Sequence, residues 1–202
     1  LYYRDMNIPE VTRYTHHTPN ADGLASALAY DALVHRPDSL TELYYILKAV
    51  LLEQYDLLVA AGMVFDFAEG DLYADSAEMR ADVARGHLTA RLTVGVDYDD
   101  LPDAAHPMRA ESPRGVLWND VFRAVHDVYG HAYSGSGFSP KGEYTAWLAH
   151  RETMPEVALP ALWCETRGQN TWTNNLPGHD AYPLSERPFA SQKVGKVDTS
   201  LI

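Results

Sequence analysis

Two histidines lie five residues apart in the run His126-Asp127-Val128-Tyr129-Gly130-His131. Neutral imidazole is the commonest protein ligand for a metal ion, so their relative direction matters. An α-helix repeats every 3.6 residues, which turns an i, i+5 pair about 140° apart. Both rings meet one ion only where the helix ends or loosens. Gly130 supplies that freedom, and Gly135 and Gly137 mark a helix end just beyond. The spacing therefore predicts a metal site at a helix C-terminus. It also argues against a zinc protease of the H-E-x-x-H type, whose histidines are four apart with a glutamate after the first. Here the interval is five and Asp127 holds that place.

A third ligand is expected at Glu165, which interrupts the apolar run Val157 to Cys164. An ionised carboxylate among apolar groups is costly unless it is paired or bound to a cation; a salt bridge to Arg167 or Arg151 is the alternative. Two histidines and one carboxylate make the facial triad of mononuclear non-heme iron, with coordination positions left open. Around it stand candidate catalytic groups. Asp127 adjoins the first histidine and otherwise faces solvent. Glu143 and His150 are seven apart and share one helix face. They read as groups that touch substrate or orient the ligating rings, with a second metal or a plain solvated face as the other readings. Arg167, Gln169 and Asn170 follow Glu165 closely and suit a substrate carboxylate or amide, the arginine in bidentate fashion; helix capping is the competing role. Arg123 falls about one turn before His126 and is a further candidate for substrate binding. Trp163 beside Glu165 is the aromatic most naturally placed as a pocket wall, although tryptophans are more often core. Cys164 reads as a small buried residue.

The run HDVYGH, with a glutamate in a Trp-containing apolar segment about thirty residues later, resembles the catalytic core of the pterin-dependent aromatic amino acid hydroxylases. Bacterial phenylalanine hydroxylases carry a similar H-D-x-F-G-H motif and then Y-W-x-T-V-E-F-G. The resemblance implies that His126, His131 and Glu165 hold Fe(II), and that Asp127 lies toward the pterin side. It further implies a hydroxylase-like catalytic domain that takes dioxygen, a small substrate such as an amino acid, and a reduced pterin as electron donor. It covers roughly residues 117–170. The lead-in Asp120 to Val125, and Thr166-Arg167-Gly168 after the glutamate, depart from the family wording, so the metal site carries over more directly than the substrate. The segments FRAVHDVYGH, GEYTAWLAH and ETRGQN also resemble uncharacterised phage-encoded proteins, which implies a divergent branch.

The elements that must position these groups are mostly helical. Residues 21–35 have helical spacing and stop at Pro37. Asp38-Ser39 with Glu42 reads as a capped start for the strongest helix, whose stripe is Leu43, Leu47, Val50, Leu51, Gln54 and Leu58 and whose end is Gly62. Residues 63–67 and 88–94 alternate like strands around a short helix over 76–85. Residues 97–115, with three prolines, read as a long loop. Helices are expected from Leu117, over 141–152 and over 155–167, with an irregular tail from Asn174. The fold class is thus mostly α with a small β element: an N-terminal arm over 1–20, where His16 and His17 face solvent, and one catalytic domain over 21–202.

Composition bounds the function. Of 202 residues, 46% are hydrophobic, enough for a packed core. The net charge of −12, from 16 basic and 28 acidic residues without a basic run, disfavours direct nucleic-acid binding. A single cysteine allows no internal disulfide and fits a cytoplasmic location. No membrane-length apolar window occurs, and the first five residues do not read as a signal peptide. A homo-oligomer is compatible with this reading. The resulting expectation is an Fe(II) oxygenase. The competing classes are a zinc hydrolase with Asp127 or Glu143 activating water, and a non-catalytic phage-type accessory protein with a structural metal site.

Overall fold

Alternation of buried and exposed positions shapes the computed structural model, which describes residues 19–93 and 106–202. Residues 1–18 of the N-terminal arm, with His16 and His17, and residues 97–105 of the expected loop lie outside the described residues. The described chain is mostly helical with one two-stranded sheet. It divides into two compact units that interleave in sequence. Of the described residues, one unit holds 48–93 and 108–154, and the other holds 19–47, 106–107 and 155–202.

Helix α2 (Thr41–Ala60) contributes its first residues to the second unit and the rest to the first. Its buried positions are Tyr44, Leu47, Leu51, Gln54 and Leu58, three and four residues apart, as an amphipathic helix requires. Gly62, at φ +94°, ends it. The expected capping box is absent. Pro37–Leu40 forms a 3₁₀ turn instead, and the Ser39 hydroxyl donates back to the Arg36 carbonyl at 2.7 Å. Proline's fixed φ starts this turn early, so Ser39 falls inside it.

The first unit continues with β1 (Val64–Ala68), α3 (Ser76–Ala84) and β2 (His87–Arg91). The strands pair in parallel, Val64 opposite His87 and Ala68 opposite Arg91, with α3 as the crossover. Asp75 caps α3 by accepting from the backbone of Ala77 and Glu78 at 2.8 and 2.9 Å. Leu88 and Ala90 of β2, with Met79 and Val83 of α3, are buried. His87 lies between two carboxylates, Nδ1 2.6 Å from Asp82 and Nε2 3.0 Å from Asp66.

Helix α4 (Trp118–His126) starts on an acidic clamp. Asp120 accepts from its own N-cap amide, Leu117 N, at 3.1 Å, and from the Thr93 amide and hydroxyl at 2.7 and 2.6 Å. These bonds fix where α4 begins relative to the end of β2. The helix does not stop at the second histidine. It widens into a π-helical turn, Asp127–Ala132, and ends at Gly135, φ +70°. Helix α5 (Pro140–Arg151) follows, capped by Ser139, which accepts from Gly142 N at 3.2 Å. A Cβ on Gly142 would collide with the Gly137 carbonyl oxygen, so only glycine lets the first turn of α5 rest on that loop.

In the second unit α1 (Pro19–Asp31) packs on α7 (Arg167–Asn175). The single helix expected over 155–167 is broken: a 3₁₀ turn at Glu156–Ala158 leads into α6 (Leu159–Glu165), and the backbone turns at Thr166, φ −129° and ψ −88°. Gly168 permits close approach just after that break. A Cβ there would collide with the Tyr30 ring and meet Trp163 at 2.8 Å. Tyr30 in turn donates to the Ser191 carbonyl at 2.9 Å and accepts from Lys193 N at 2.8 Å, tying the irregular tail to α1. Among the described residues no helix is long and apolar enough to cross a membrane.

Candidate metal centre

The five-residue interval between His126 and His131 is resolved by the π turn rather than by a helix end. A π turn closes i to i+5, so residues five apart come nearly one above the other, and such turns are frequent at functional sites. The ring centroids are 5.2 Å apart with planes at 82°. Gly130 sits inside this turn with no room for a side chain. A Cβ would lie 2.9 Å from His126 Cε1, 3.0 Å from its Nδ1 and 3.1 Å from the Ala146 carbonyl oxygen on α5.

Glu143, on the first turns of α5, completes the group. Its Oε2 is 3.5 Å from His131 Nε2. Ligand-type atoms of His126, His131 and Glu143 all lie within 4.8 Å of one another. Both histidines are buried, while the Glu143 side chain is 24% exposed, which leaves the group an opening to solvent.

His150, on the last turn of α5, is fully buried behind His126. The two Nδ1 atoms are 3.0 Å apart, and His150 Nε2 is 3.2 Å from Gln54 Oε1. Gln54 Nε2 donates to Thr153 Oγ1 at 2.8 Å, and the Thr153 hydroxyl donates to the His150 carbonyl at 2.7 Å. Phe122 stacks on both rings, 5.5 Å from His126 and 6.2 Å from His150. On the other side, His131 Nδ1 is 3.3 Å from Ser136 Oγ.

Burial is the main electrostatic force on these groups. It holds His126 well below the usual imidazole range, helped by the charges of His150 and His131. Burial and the His131 charge pull His150 down to about 3. His131 goes the other way: burial opposes its charge, but the Glu143 hydrogen bond and charge, with Asp127 behind them, raise it. Asp127 is partly exposed on the π turn, and desolvation pushes its carboxyl up to about 6 against the pull of His131. At neutral pH His126 and His150 are therefore uncharged, and His126 has a lone pair to give.

Glu165, expected as the third ligand, belongs to the second unit and takes its partners there. The Tyr44 hydroxyl donates to Glu165 Oε1, and His106 Nε2 is 3.3 Å from the same oxygen. His106 stacks on His35 with centroids 6.2 Å apart. Burial and then the Glu165 charge raise the Tyr44 hydroxyl well above its ordinary range. An acidic residue in an apolar run is thus accommodated here by a tyrosine and a histidine. The ligand-like carboxylate grouped with the histidines is Glu143, which the sequence places on the right helix but assigns to catalysis.

The residues expected to bind substrate are placed as follows. Arg123 on α4 makes long contacts, 3.4 and 3.5 Å, with the carbonyls of Arg91 and Leu92 at the end of β2. Trp163 is fully buried, 5.8 Å from Tyr30. Arg167 is buried at the start of α7, Gln169 donates to the Cys164 carbonyl at 2.9 Å, and Asn170 accepts from Asn174 Nδ2 at 3.3 Å. In the second unit Gln169 thus does what a helix cap does, closing α6. Gln54, Thr153, Ser136, Tyr44 and His106 stand in no motif that marks them as site residues. Only Gln54 carried a signal, as the one polar residue in the apolar stripe of α2.

No family model, curated protein or solved structure matches the chain.

Proposed function

We propose that His126, His131 and Glu143 hold one Fe(II) ion, and that the protein is a mononuclear non-heme oxygenase acting on a small substrate. The observation that carries this reading is the convergence of two imidazoles and one carboxylate, with ligand-type atoms within 4.8 Å of one another. Ligands about 2.1 Å from an octahedral ion are about 3 Å apart when adjacent. The 3.5 Å between His131 and Glu143 is close to that already. Glu143 takes the place that the sequence offered to Glu165.

The donor set fits the group. Two nitrogens and one carboxylate oxygen are the ligands of an iron site that keeps open positions, and neutral His126 pays little in proton release on binding. Bound there, iron supplies the redox chemistry that couples dioxygen to a substrate. The chain's own residues do the rest. His150 and Ser136 hold the ligating rings, Phe122 walls one side of them, and the partly exposed Glu143 edge gives access. Asp127, whose charge acts on His131, is a further proton-carrying group of the site. The two histidines of HDVYGH support hydroxylation as the reaction; with Glu143 in place of the downstream glutamate, the resemblance no longer extends to the pterin.

The test is anaerobic loading with Fe(II), followed by measurement of oxygen consumption. Oxygen uptake by the iron form, absent from the Zn-loaded form and from His126→Ala, is the expected result. Selective retention of Zn with no oxygen uptake by the iron form would replace this reading with the hydrolytic one.

A further inference from the structure

We infer that Gln54 is a positioning residue that, acting through His150, fixes the tautomer of His126 so that Nε2 is the nitrogen left with a lone pair for a metal. The inference rests on the proposed metal site and adds the device that prepares one of its ligands. It follows from hydrogen-bond direction along one chain of contacts.

The chain starts at a group whose role is fixed. A carbonyl oxygen only accepts, so the Thr153 hydroxyl, 2.7 Å from the His150 carbonyl, spends its proton there. Thr153 Oγ1 is then an acceptor toward Gln54, which turns the Gln54 amide NH₂ to Thr153 at 2.8 Å and its oxygen to His150. That oxygen, 3.2 Å from His150 Nε2, has no proton, so Nε2 of His150 carries one. A neutral imidazole has a single N–H, which leaves His150 Nδ1 bare. The His126 Nδ1 that faces it at 3.0 Å must donate. The one nitrogen of His126 left without a proton is Nε2.

Position makes the arrangement specific. Gln54 is a buried amide in the apolar stripe of α2, and His150 is buried completely. Phe122 stacks on both imidazoles and holds their planes within about 20° of its own, at 16° and 21°. An outward-facing second nitrogen, hydrogen-bonded to fix ring and tautomer, is the usual support of a metal-bound histidine. Here the support is an imidazole, itself oriented by an amide from another helix.

The opposite polarity would leave the 2.7 Å contact between Thr153 Oγ1 and the His150 carbonyl without a proton. If the Thr153 hydroxyl instead donated to Gln54, the amide would flip, every proton in the chain would reverse, and His126 Nε2 would carry a hydrogen. Nitrogen-15 NMR of the metal-free protein, labelled at histidine, distinguishes the two. The expected pattern is protonated Nδ1 and bare Nε2 at His126, with protonated Nε2 and bare Nδ1 at His150. Gln54→Glu, which can only accept at that position, keeps this pattern. Gln54→Met loses it and weakens Zn²⁺ binding measured by calorimetry by about 10–100-fold. A wild-type His126 protonated at Nε2, or an unchanged pattern in Gln54→Met, overturns the inference. Failure of wild-type protein to bind Zn²⁺ or Fe(II) would instead remove the proposed function, while the nitrogen pattern would still decide the role of Gln54.

Discussion

Gly130→Ala is a sharp test of the packing that brings the site together, because two physical effects oppose each other there. In an ordinary helix the change is stabilising by about 1 kcal/mol through propensity. In this π turn the new methyl would sit 2.9 Å from His126 Cε1 on one side and 3.1 Å from the Ala146 carbonyl oxygen on the other. Carbon contacts settle at about 3.5 Å or more, so roughly half an ångström must be found, and one wall is backbone. Overpacking of this kind costs about 1–3 kcal/mol, and the backbone wall puts it near the upper end. The net effect is a loss of about 1–2 kcal/mol, read as a fall in Tm of about 2–8 °C for a chain of this size. The ring that yields is His126, so its 3.0 Å contact with His150 is lost and metal affinity falls by about 10–100-fold. Thermal denaturation and Zn²⁺ calorimetry on the same variant check both numbers. A higher Tm with unchanged affinity would show that Gly130 is an ordinary helical glycine and that the account of the turn is wrong.

Other outcomes follow from the same structure. Metal affinity should rise with pH across the neutral range. His131 is held above its ordinary pKa and must lose its proton to ligate, so affinity is lost as pH falls through that raised value, and Co²⁺ titrations at pH 6 and pH 8 measure it. His87 is raised by the hydrogen bonds of Asp66 and Asp82, which outweigh its slight burial. Its contribution is therefore full below the unfolded imidazole pKa and disappears as pH rises through the folded value. Urea denaturation should show wild type losing more stability than His87→Asn between pH 6 and pH 9. Tyr44→Phe removes the hydroxyl that donates to Glu165 and should cost about 1.5–3 kcal/mol of stability, without changing the metal content of the loaded protein.

The helical class, the two strands with a helix between them and the end of α2 at Gly62 were legible because they rest on local rules: period and glycine. The His126–His131 interval was legible as an anomaly, and sequence offered a loosened helix end as its remedy. The π turn is the same remedy made inside a continuing helix, a choice that depends on α5 packing against Gly130 through Ala146 and so leaves no local mark. Glu143 was seen on one face with His150, yet that face alone does not say which side chain reaches the histidines. Glu165 looked like a ligand because a buried carboxylate needs a partner. Its partners, Tyr44 and His106, stand 121 and 59 residues away in sequence and carry no motif. Gln54 gave the reverse lesson. One polar residue in an apolar stripe was visible, but its purpose appears only with the Thr153 and His150 contacts.

Metal stoichiometry after anaerobic Fe(II) loading decides whether Glu143 is the carboxylate ligand of the proposed site. Glu165→Gln should keep one ion per chain, like the wild type, whereas Glu143→Gln, His126→Ala and His131→Ala should lose it. Retention by Glu143→Gln with loss in Glu165→Gln would contradict the account.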